Sequence, residues 1–470
     1  MIPGAGEPAI TAVCTAPGRA GIAVVRLSGA EAYAIADRLC AGAKVAPSQM
    51  PAGTFRLFKL RDPADGSLVD EAVVLAFRAP HSYTGEDVVE FQTHGGRVAA
   101  QRVLAALVAC GARLAGPGEF TRRAFLNGRM DLSRAEAVMD VIGAQSERAE
   151  RAAAEQLAGR LGRTLDACYD DLLSACADVE ASLDFADDES SGILAPADIP
   201  GRLRAVAARL QTLADTWREG LLLREGAFVV LSGVPNAGKS TLFNALLGVL
   251  RAIVSDIPGT TRDTIEETLL LDGIPLRIAD TAGLRETESP IERMGVDRSV
   301  ALVRAADLNL RLLDLAADPE PQLAWLGEAA YPPDRTVAVL NKADVAPGGR
   351  VETLTRRLAA AGYEAVALSA QEGTGLEALR EAMKRKVCGD RDSIAAAQGV
   401  AVSERHHALL AEALDAIRDA LALEEAGAED DAALCAQRLR AAAEALAQIT
   451  GRVYTDDLLD RVFSRFCVGK

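Results

Sequence analysis

Aromatic residues are scarce in this sequence of 470 residues, since Phe, Trp and Tyr together make up 4% of it. Alanine and leucine dominate instead, and because both are strong helix formers, much of the chain is expected to be helical. The eight cysteines include no C-x-x-C pair. The sequence therefore indicates neither a zinc knuckle nor a disulfide framework.

Long apolar runs and an excess of positive charge are also missing. No uncharged apolar run is long enough to span a bilayer, and the first residues lack the basic and apolar regions of a secretory signal. The formal net charge is −16, which argues against a general nucleic-acid coat but not against a local basic patch. We therefore expect a protein of the reducing cytoplasm that has no membrane partner.

The centre of the chain contains a phosphate-binding pattern. Gly233, Gly238, Lys239 and Ser240 fit G-x-x-x-x-G-K-[ST] in the stretch GVPNAGKS, between a β-rich apolar run and a helix-compatible stretch that begins at Thr241. That context lets backbone N–H groups converge on phosphate oxygens at the positive end of a helix. Lys239 is expected to reach the β- and γ-phosphates, and the Ser240 hydroxyl to bind Mg²⁺.

Later stretches narrow the nucleotide to guanine. Residues 280–283, DTAG, fit D-x-x-G, and residues 341–344, NKAD, close a further apolar run. The Asp344 carboxylate accepts two hydrogen bonds, which matches the N1–H and N2–H₂ donors of guanine, whereas adenine offers no such pair. Ser369 and Ala370 are placed to give a backbone N–H to the guanine O6. The 341–344 pattern therefore argues against the alternative that the protein is an ATPase.

The stretch between the phosphate loop and the D-x-x-G motif has the character of a first switch. Residues 255–263, SDIPGTTRD, are polar and contain glycine, and the Thr261 hydroxyl is expected to complete the Mg²⁺ shell. Residues 269–278 then read as a hairpin with the two-residue turn Asp272-Gly273. The hairpin predicts one antiparallel edge strand on an otherwise parallel sheet.

The flanks of this central part predict two other kinds of structure. Residues 1–120 alternate apolar runs with glycine turns and predict an α+β domain, in which Val98, Val103, Leu104, Leu107 and Val108 form the apolar face of a helix over residues 97–110. Residues 121–224 and 384–470 have a helical composition and are expected to form one domain around the inserted part, residues 225–383. The predicted fold class is a multidomain α/β chain: an α+β domain, an all-helical domain and a Ras-like P-loop GTPase domain with a mostly parallel sheet.

Within the first helical block, two helices are predicted. One is a long amphipathic helix, because apolar residues recur at steps of three or four from Leu157 to Leu183, with Cys168 and Cys176 on the stripe. Both cysteines are most simply buried small hydrophobes. The other helix is predicted over residues 199–223.

Four polar residues of the N-terminal part are marked, Arg26, Glu90, His94 and Arg129, and each taken alone is typical of a solvated surface. Cys467 has two interpretations. A cysteine near a chain end is often incidental, but beside Lys470 its thiolate would act as a nucleophile.

Several stretches match one family. The chain resembles the bacterial tRNA modification GTPases called MnmE or TrmE in TAPGRAGIAVVRLSG, HSYTGEDVVE, GEFTRRAFLNGRMDL, GVPNAGKSTL, IPGTTRD, DTAGLRE and the closing FCVGK. The match covers essentially the full length, and a terminal C-x-G-K after FSRF is specific to this family among GTPases.

The resemblance implies a chemistry that the motifs do not. Proteins of this family act with an FAD-dependent partner, MnmG or GidA, and add an aminomethyl or carboxymethylaminomethyl group at C5 of the wobble uridine of certain tRNAs. The family dimerises through the N-terminal domain, which binds a tetrahydrofolate derivative, the 5-formyl or the methylene form, as the one-carbon source. The folate contacts map to Arg26, Glu90, Arg129 and Lys470, and Arg129 stands where the family often has Lys.

The resemblance also implies a K⁺ ion, whose ligands map to Asn236, Ser255, Ile257 and Thr260. Leu284 stands where Ras-like proteins have the glutamine that orients the attacking water. The resemblance assigns that role to Glu292, although Glu286 is nearer in sequence, and Arg262 is a candidate arginine finger. The catalytic candidates are therefore Glu292, Lys239, Arg262 and Cys467. The predicted GTP-binding residues are Asn236, Ala237, Gly238, Lys239, Ser240, Thr241, Ser255, Asp256, Ile257, Pro258, Gly259, Thr260, Thr261, Asp280, Thr281, Ala282, Gly283, Asn341, Lys342, Asp344, Ser369 and Ala370.

One alternative is a ribosome-assembly GTPase without chemistry of its own. Such a factor is expected to carry an RNA-binding appendix, for example a K-homology domain with a GXXG loop or a basic tail. This chain has an acidic balance and a C-x-G-K end instead, which favours the enzyme.

Overall fold

The computed structural model describes residues 7–184, 198–252, 266–280, 301–389, 402–426 and 431–470. The chain divides into two compact units. The first comprises Met1–Met139, Gln156–Ala208 and Leu409–Lys470, and the second comprises Asp140–Glu155 and Arg209–Ala408. Among the described helices, none has the length and apolar character needed to cross a bilayer.

The first unit contains a six-stranded sheet in the order β3-β4-β5-β2-β1-β6. All neighbouring strands are antiparallel except β1 and β6, which are parallel. The strands are β1 Ile10–Val13, β2 Ile22–Ser28, β3 Thr54–Arg61, β4 Leu68–Phe77, β5 Val88–His94 and β6 Arg113–Leu114.

One face of this sheet is covered by the helices α1 (Ala32–Leu39) and α2 (Arg97–Ala109). Alternate residues of β2 and β5, such as Val25 and Phe91, join the helices in one buried core. Because successive side chains of a strand point to opposite faces, Arg26 and Glu90 lie on the other face.

The prediction for the apolar face of α2 is partly wrong. Val103 and Leu107 are buried, but Val98 and Val108 are 72% and 40% exposed. Ala100 and Ala106 are buried in their place. At about 100° per residue, positions 100, 103 and 107 share one side of the helix, whereas 98 and 108 fall outside it. Small alanines suit the buried positions because they let the helix approach the sheet closely.

The composition of the chain predicted that much of it is helical, and the remaining helices agree with this expectation. They are α3 Glu119–Leu126, α4 Leu132–Gly143, α5 Glu147–Leu157, α6 Arg160–Asp184, α7 Ile199–Ala214, α8 Trp217–Glu225, α9 Lys239–Val249, α10 Arg350–Ala360, α11 Leu376–Cys388, α12 Glu404–Ala426, α13 Asp431–Thr450 and α14 Asp456–Phe463.

Two helix predictions need correction. Leu157 ends α5 rather than starting the long helix, because Gly159 has a left-handed backbone (φ +84°) that interrupts the helix before α6 begins. The helix predicted over residues 199–223 is two helices, α7 and α8. The Thr216 hydroxyl between them donates to the Leu213 carbonyl oxygen at 2.7 Å, which satisfies an end of α7. Cys168 and Cys176 are buried, as predicted.

The second unit contains a seven-stranded sheet in the order β13-β12-β11-β7-β10-β9-β8. The strands are β7 Ala227–Gly233, β8 Arg251–Ala252, β9 Glu266–Leu271, β10 Ile274–Asp280, β11 Leu308–Asp314, β12 Thr336–Asn341 and β13 Glu364–Ala367. The pairs β7–β10, β7–β11, β11–β12 and β12–β13 are parallel.

The predicted hairpin is confirmed. Strands β9 and β10 pair antiparallel, with Leu271 opposite Ile274, and both turn residues, Asp272 and Gly273, have positive φ, as a tight two-residue turn requires. The predicted fold class is confirmed as well. The short strand β8 was not predicted, and it lies outside β9 at the edge of the sheet. The carboxyl ends of the parallel strands therefore meet at one edge, where ligands of such sheets bind.

Candidate functional site

The predicted phosphate loop connects β7 to α9 in the second unit. Asn236 and Gly238 have left-handed backbones, with φ of +63° and +93°, and these bends turn the chain sharply into the first turn of the helix. The Lys239 side chain folds back over the loop, where Nζ donates to the carbonyl oxygens of Gly233 at 3.1 Å and Val234 at 3.0 Å. A buried ammonium beside the amino end of a helix is the arrangement that holds phosphate oxygens.

Asn341 ties the phosphate loop to a second loop. Its Nδ2 donates to the Ala237 carbonyl oxygen at 2.8 Å, and its Oδ1 accepts from the Ala370 backbone N–H at 3.0 Å. The side chain approaches so closely that a Cβ at position 238 would lie 2.3 Å from Asn341 Nδ2. Glycine at 238 therefore serves the tie to Asn341 as well as the left-handed bend of the loop.

This tie gives a testable stability effect. Asn341→Ala is expected to lower the free energy of unfolding by about 2–4 kcal/mol, because two buried backbone groups lose their partners. It is also expected to weaken nucleotide binding, since both loops lose a shared anchor. Asn309→Ala is the matched control. Asn309 on β11 is equally buried and donates to the Val303 carbonyl oxygen at 3.1 Å, a bond that involves neither loop.

Urea unfolding and GDP titration of both variants make the measurement. We expect both variants to be destabilised, but only the Asn341 variant to bind GDP more weakly when folded. Equal GDP affinities in the two variants would show that the tie does not shape the site.

The segment predicted to recognise guanine follows β12. Lys342 has a left-handed backbone (φ +64°) and leads into the short helical turn Ala343–Val345, which presents Asp344 to solvent. The turn is held from two sides. The Lys342 ammonium pairs with the Asp314 carboxylate at 2.6 Å, and the Ala343 N–H donates to the Leu368 carbonyl oxygen at 3.1 Å. Asp314 was missed in the sequence, although its position directly after the apolar residues of β11 marks it.

The structure brings much of the predicted set to one edge of the sheet. The phosphate loop, the 341–344 segment and Ser369-Ala370 follow the carboxyl ends of β7, β12 and β13. The backbone of Asp280 ends β10 in register with Leu231. The other predicted residues of this site lie outside the described residues: Ser255, Asp256, Ile257, Pro258, Gly259, Thr260, Thr261, Arg262, Thr281, Ala282, Gly283, Leu284, Glu286 and Glu292.

The donor set suits a magnesium nucleotide rather than a metal held by the protein alone. The Ser240 side chain is exposed in the first turn of α9, directly after the loop. Within the described ranges, no group of three or more His, Cys, Asp or Glu residues is arranged to hold a metal ion. Mg²⁺ in such sites is bound through phosphates and one or two protein oxygens, and the Ser240 hydroxyl fits that role.

A second cluster lies in the first unit, on the face of the sheet opposite α1 and α2. The Arg26 Nε donates to the Glu90 Oε1 at 2.8 Å, and the two side chains are 14% and 16% exposed. The Arg26 guanidinium also lies 4.8 Å from the ring centre of Tyr83 and 5.5 Å from that of Phe120. Its Nη1 is buried and has no hydrogen-bond partner among the described residues. A buried cationic donor of this kind calls for an acceptor from a ligand or water.

The C-terminal segment packs against the same region. The Phe120 N–H donates to the Lys470 carbonyl oxygen at 3.2 Å, and Val468 forms a bridge with Pro117. A Cβ at Gly469 would lie 2.6 Å from the Val13 carbonyl oxygen. Burial raises the pKa of the Cys14 thiol next to Val13, and the charges of Arg26, Glu90 and Lys470 all act on it. The Lys470 backbone therefore lies beside Phe120, whose ring the Arg26 guanidinium approaches.

The four polar residues marked in the sequence differ in surroundings. The expectation of a solvated surface is wrong for Arg26 and Glu90, and it is confirmed for His94, which is 75% exposed and pairs with Asp70 at 2.7 Å. Arg129 is exposed, and its Nε donates to the Ser82 carbonyl oxygen at 3.0 Å, next to Tyr83.

Sequence reasoning missed three neighbours of this cluster: Cys14, Tyr83 and Phe120. Each stands within or beside a stretch that carries the family resemblance, so the stretches contained the signal. Cys467 is exposed, and its backbone carbonyl oxygen accepts from the Gly118 N–H at 3.4 Å.

Comparison with known proteins places both parts of the chain in one family. The family model of the MnmE helical domain matches residues 132–467, and that of the GTP-binding protein TrmE N-terminus matches residues 9–129. The tRNA modification GTPase MnmE of Moorella thermoacetica is 42% identical over 99% of this chain and 100% of its own length. The MnmE of Azoarcus sp. is 44% identical over 98% of each chain.

Among solved structures, the G domain of the T. maritima FeoB iron transporter is 29% identical over 34% of this chain and 96% of its own, with a TM-score of 0.26. That score is too low to add to the assignment. The two family models and the full-length relatives decide it: the chain belongs to the MnmE family of tRNA modification GTPases.

Proposed function

We propose that this chain is a K⁺-activated GTPase that hydrolyses GTP to GDP and phosphate and acts in tRNA modification. Together with an FAD-dependent partner of the MnmG/GidA type, it adds an aminomethyl or carboxymethylaminomethyl group at C5 of the wobble uridine of certain tRNAs. The observation that carries the proposal is the pairing, in one chain of this family, of a guanine-nucleotide site with an Arg26–Glu90 cluster that the C-terminal Lys470 joins.

We assign a task to each residue of the nucleotide site. The loop N–H groups and Lys239 bind the β- and γ-phosphates, the Ser240 hydroxyl binds Mg²⁺ with Thr261, and Asp344 binds guanine. Asn341 fixes the two loops relative to each other. We assign the orientation of the attacking water to Glu292 and K⁺ ligation to Asn236, Ser255, Ile257 and Thr260. K⁺ supplies positive charge against the phosphate oxygens, and Arg262 stays a candidate for the same task.

In the first unit, the Arg26–Glu90 cluster suits a tetrahydrofolate. The ring system of a folate is flat and carries hydrogen-bond donors and acceptors on its edge, and its glutamate tail is anionic. The unpartnered Nη1 of Arg26 offers a donor, the Glu90 carboxylate offers an acceptor, and Tyr83 and Phe120 offer apolar walls. Lys470 and Arg129 supply positive charge for the tail. The bound folate, in the 5-formyl or methylene form, supplies the one-carbon unit.

Further parts of the proposal concern assembly. We infer that residues 1–120 dimerise, that residues 121–224 and 384–470 form the helical domain, and that residues 225–383 form the GTPase domain. Cys467 is a candidate nucleophile because it lies exposed in the segment that ends at Lys470.

The folate site has its own test. The full-length protein is expected to bind 5-formyltetrahydrofolate in calorimetry, and Gly469→Ala is expected to weaken that binding at least tenfold. The added Cβ would meet the Val13 carbonyl oxygen at 2.6 Å and displace Lys470. Gly111→Ala is the matched control, since Gly111 has nearly the same φ (+106° against +103°) and open space around its Cβ.

The Gly111→Ala control separates the effect of backbone strain from the effect of displacing Lys470. Both variants are expected to lose about 1 kcal/mol of stability to the left-handed backbone, but Gly111→Ala is expected to bind folate normally. No heat from the folded native protein would contradict the folate site itself. Equal folate affinity in both variants would contradict the part assigned to the C-terminal segment.

A further inference from the structure

A basic groove lies at the outer edge of the sheet in the first unit. It has a volume of about 310 Å³ and runs between β3 and the loop after α1. Its lining residues are Ala41, Gly42, Ala43, Lys44, Val45, Arg56, Leu57, Phe58, Lys59 and Arg61. Four of these carry positive charge and none carries negative charge, in a chain whose net charge is −16. We call this surface the β3 groove.

The four cations differ in whether they pair with another group of the protein. The Lys59 ammonium pairs with the Glu71 carboxylate at 3.3 Å, and the Arg61 Nη1 donates to the Gly66 carbonyl oxygen at 2.9 Å. Lys44 and Arg56 are exposed, and no carboxylate among the described residues forms an ion pair with either. Two like charges on opposite walls of one groove repel each other, so an anion between them is favoured.

The backbone adds to this preference. β3 is the outermost strand of its sheet, so the N–H groups that point away from β4 have no strand to pair with. Leu57 lines the groove and is 63% exposed, and Phe55, on the same side of the strand, is 72% exposed. Arg56 lies on the other side of the strand from these two residues, because successive side chains alternate, so the Arg56 guanidinium and the N–H groups of the strand edge favour an anionic backbone rather than stacked bases.

We propose that the β3 groove binds the phosphate backbone of tRNA, with Lys44 and Arg56 as the phosphate ligands. This inference rests on the proposed function, in which tRNA is the substrate. It reconciles the acidic composition with an RNA substrate, because a local cluster of cations binds phosphates even where the net charge of the protein is negative. The groove is distinct from the Arg26–Glu90 cluster, since none of its lining residues belongs to that cluster.

The test compares two double variants of the full-length protein. Lys44→Ala/Arg56→Ala removes the two free cations of the groove, and Arg97→Ala/Arg418→Ala removes two exposed cations of the same unit that do not line it. Both variants have the same net charge. Binding of unfractionated tRNA is measured by fluorescence anisotropy between 50 and 300 mM KCl, together with GTPase activity and oligomeric state by light scattering.

The groove variant is expected to bind tRNA about tenfold more weakly at 100 mM salt. The slope of log K against log[salt] is expected to become shallower by roughly 1.4–1.8, because each lost phosphate contact removes about 0.7–0.9. The control variant is expected to keep both the affinity and the slope of the native protein. GTPase activity is expected to be unchanged in both variants.

Three results would overturn the proposal. Native affinity and slope in the groove variant would show that no phosphate is bound there. An equal loss in both variants would show a general charge effect. A changed oligomeric state in the groove variant alone would show that the groove is covered by a second copy of the chain. Because native tRNA binding and GTPase activity are measured in parallel, failure of the groove is distinguishable from failure of the proposed function.

Discussion

GTP hydrolysis by this chain is expected to be about a thousandfold faster in KCl than in NaCl at matched ionic strength. Leu284 stands where a glutamine would orient water, and Arg262 is no more than a candidate arginine finger. A finger of this kind is worth about three to five powers of ten in rate. A K⁺ ion bound near the phosphates would supply comparable charge. Na⁺ is smaller and would fit the oxygen ligands proposed for K⁺ poorly.

Two variants separate the parts of this claim. Asn236→Ala is expected to remove most of the K⁺ response while leaving GTP affinity within a few-fold, since Asn236 is exposed at the tip of the loop and the phosphate contacts are assigned to Lys239. Glu292→Ala is expected to lower the rate and leave K⁺-dependent association of the GTPase parts intact. Phosphate release is followed in both salts. Equal turnover in KCl and NaCl by the native protein would refute K⁺ activation.

Asp344→Asn is expected to weaken GTP binding by about two to three powers of ten and to shift preference toward xanthosine triphosphate. In the proposed site the Asp344 carboxylate would make two charge-assisted hydrogen bonds with guanine, each worth about 1.5–3 kcal/mol. An amide at this position turns one acceptor into a donor, which faces the N2–H₂ of guanine but matches the carbonyl oxygen at C2 of xanthine.

Asp334→Asn is the matched control for that substitution. Asp334 is exposed in the short helix Pro333–Arg335, which precedes β12 at the opposite end of the strand from Asp344. The Asp334→Asn substitution makes the same chemical change, and this variant is expected to bind GTP as the native protein does. The measurement is competition of GTP, ATP and xanthosine triphosphate for a fluorescent GDP analogue. Native protein that binds ATP as well as GTP would remove the guanine assignment.

Local features of the sequence predicted the central sheet well. Asp272-Gly273 between two apolar runs specifies a tight turn through its two positive φ angles, and the hairpin formed as predicted. The backbone bends of the phosphate loop are similarly local, because its glycines and the following helix specify them, but its tie to Asn341 is a long-range contact. Strand β8 escaped prediction because two residues, Arg251 and Ala252, carry no periodicity.

Long-range contacts were harder to predict. The Arg26–Glu90 pair depends on the register of β2 with β5 across 64 residues, which alternation alone does not supply. The approach of Lys470 to this pair depends on contacts between the chain end and residues near Phe120. Val98 and Val108 were placed on the wrong face of α2 because the sequence does not show that Ala100 and Ala106, rather than these two valines, are buried.

The central claim is that GTP hydrolysis in one unit and one-carbon chemistry in the other jointly modify the wobble uridine. Mass spectrometry of tRNA nucleosides from a strain that lacks this protein tests it most directly. We predict that nucleosides with an aminomethyl or carboxymethylaminomethyl group at C5 of uridine disappear and that the native gene restores them. Stable variants Lys239→Ala and Arg26→Ala are each predicted to fail to restore them. An unchanged nucleoside profile in the deletion strain, or full restoration by either variant, would contradict the account.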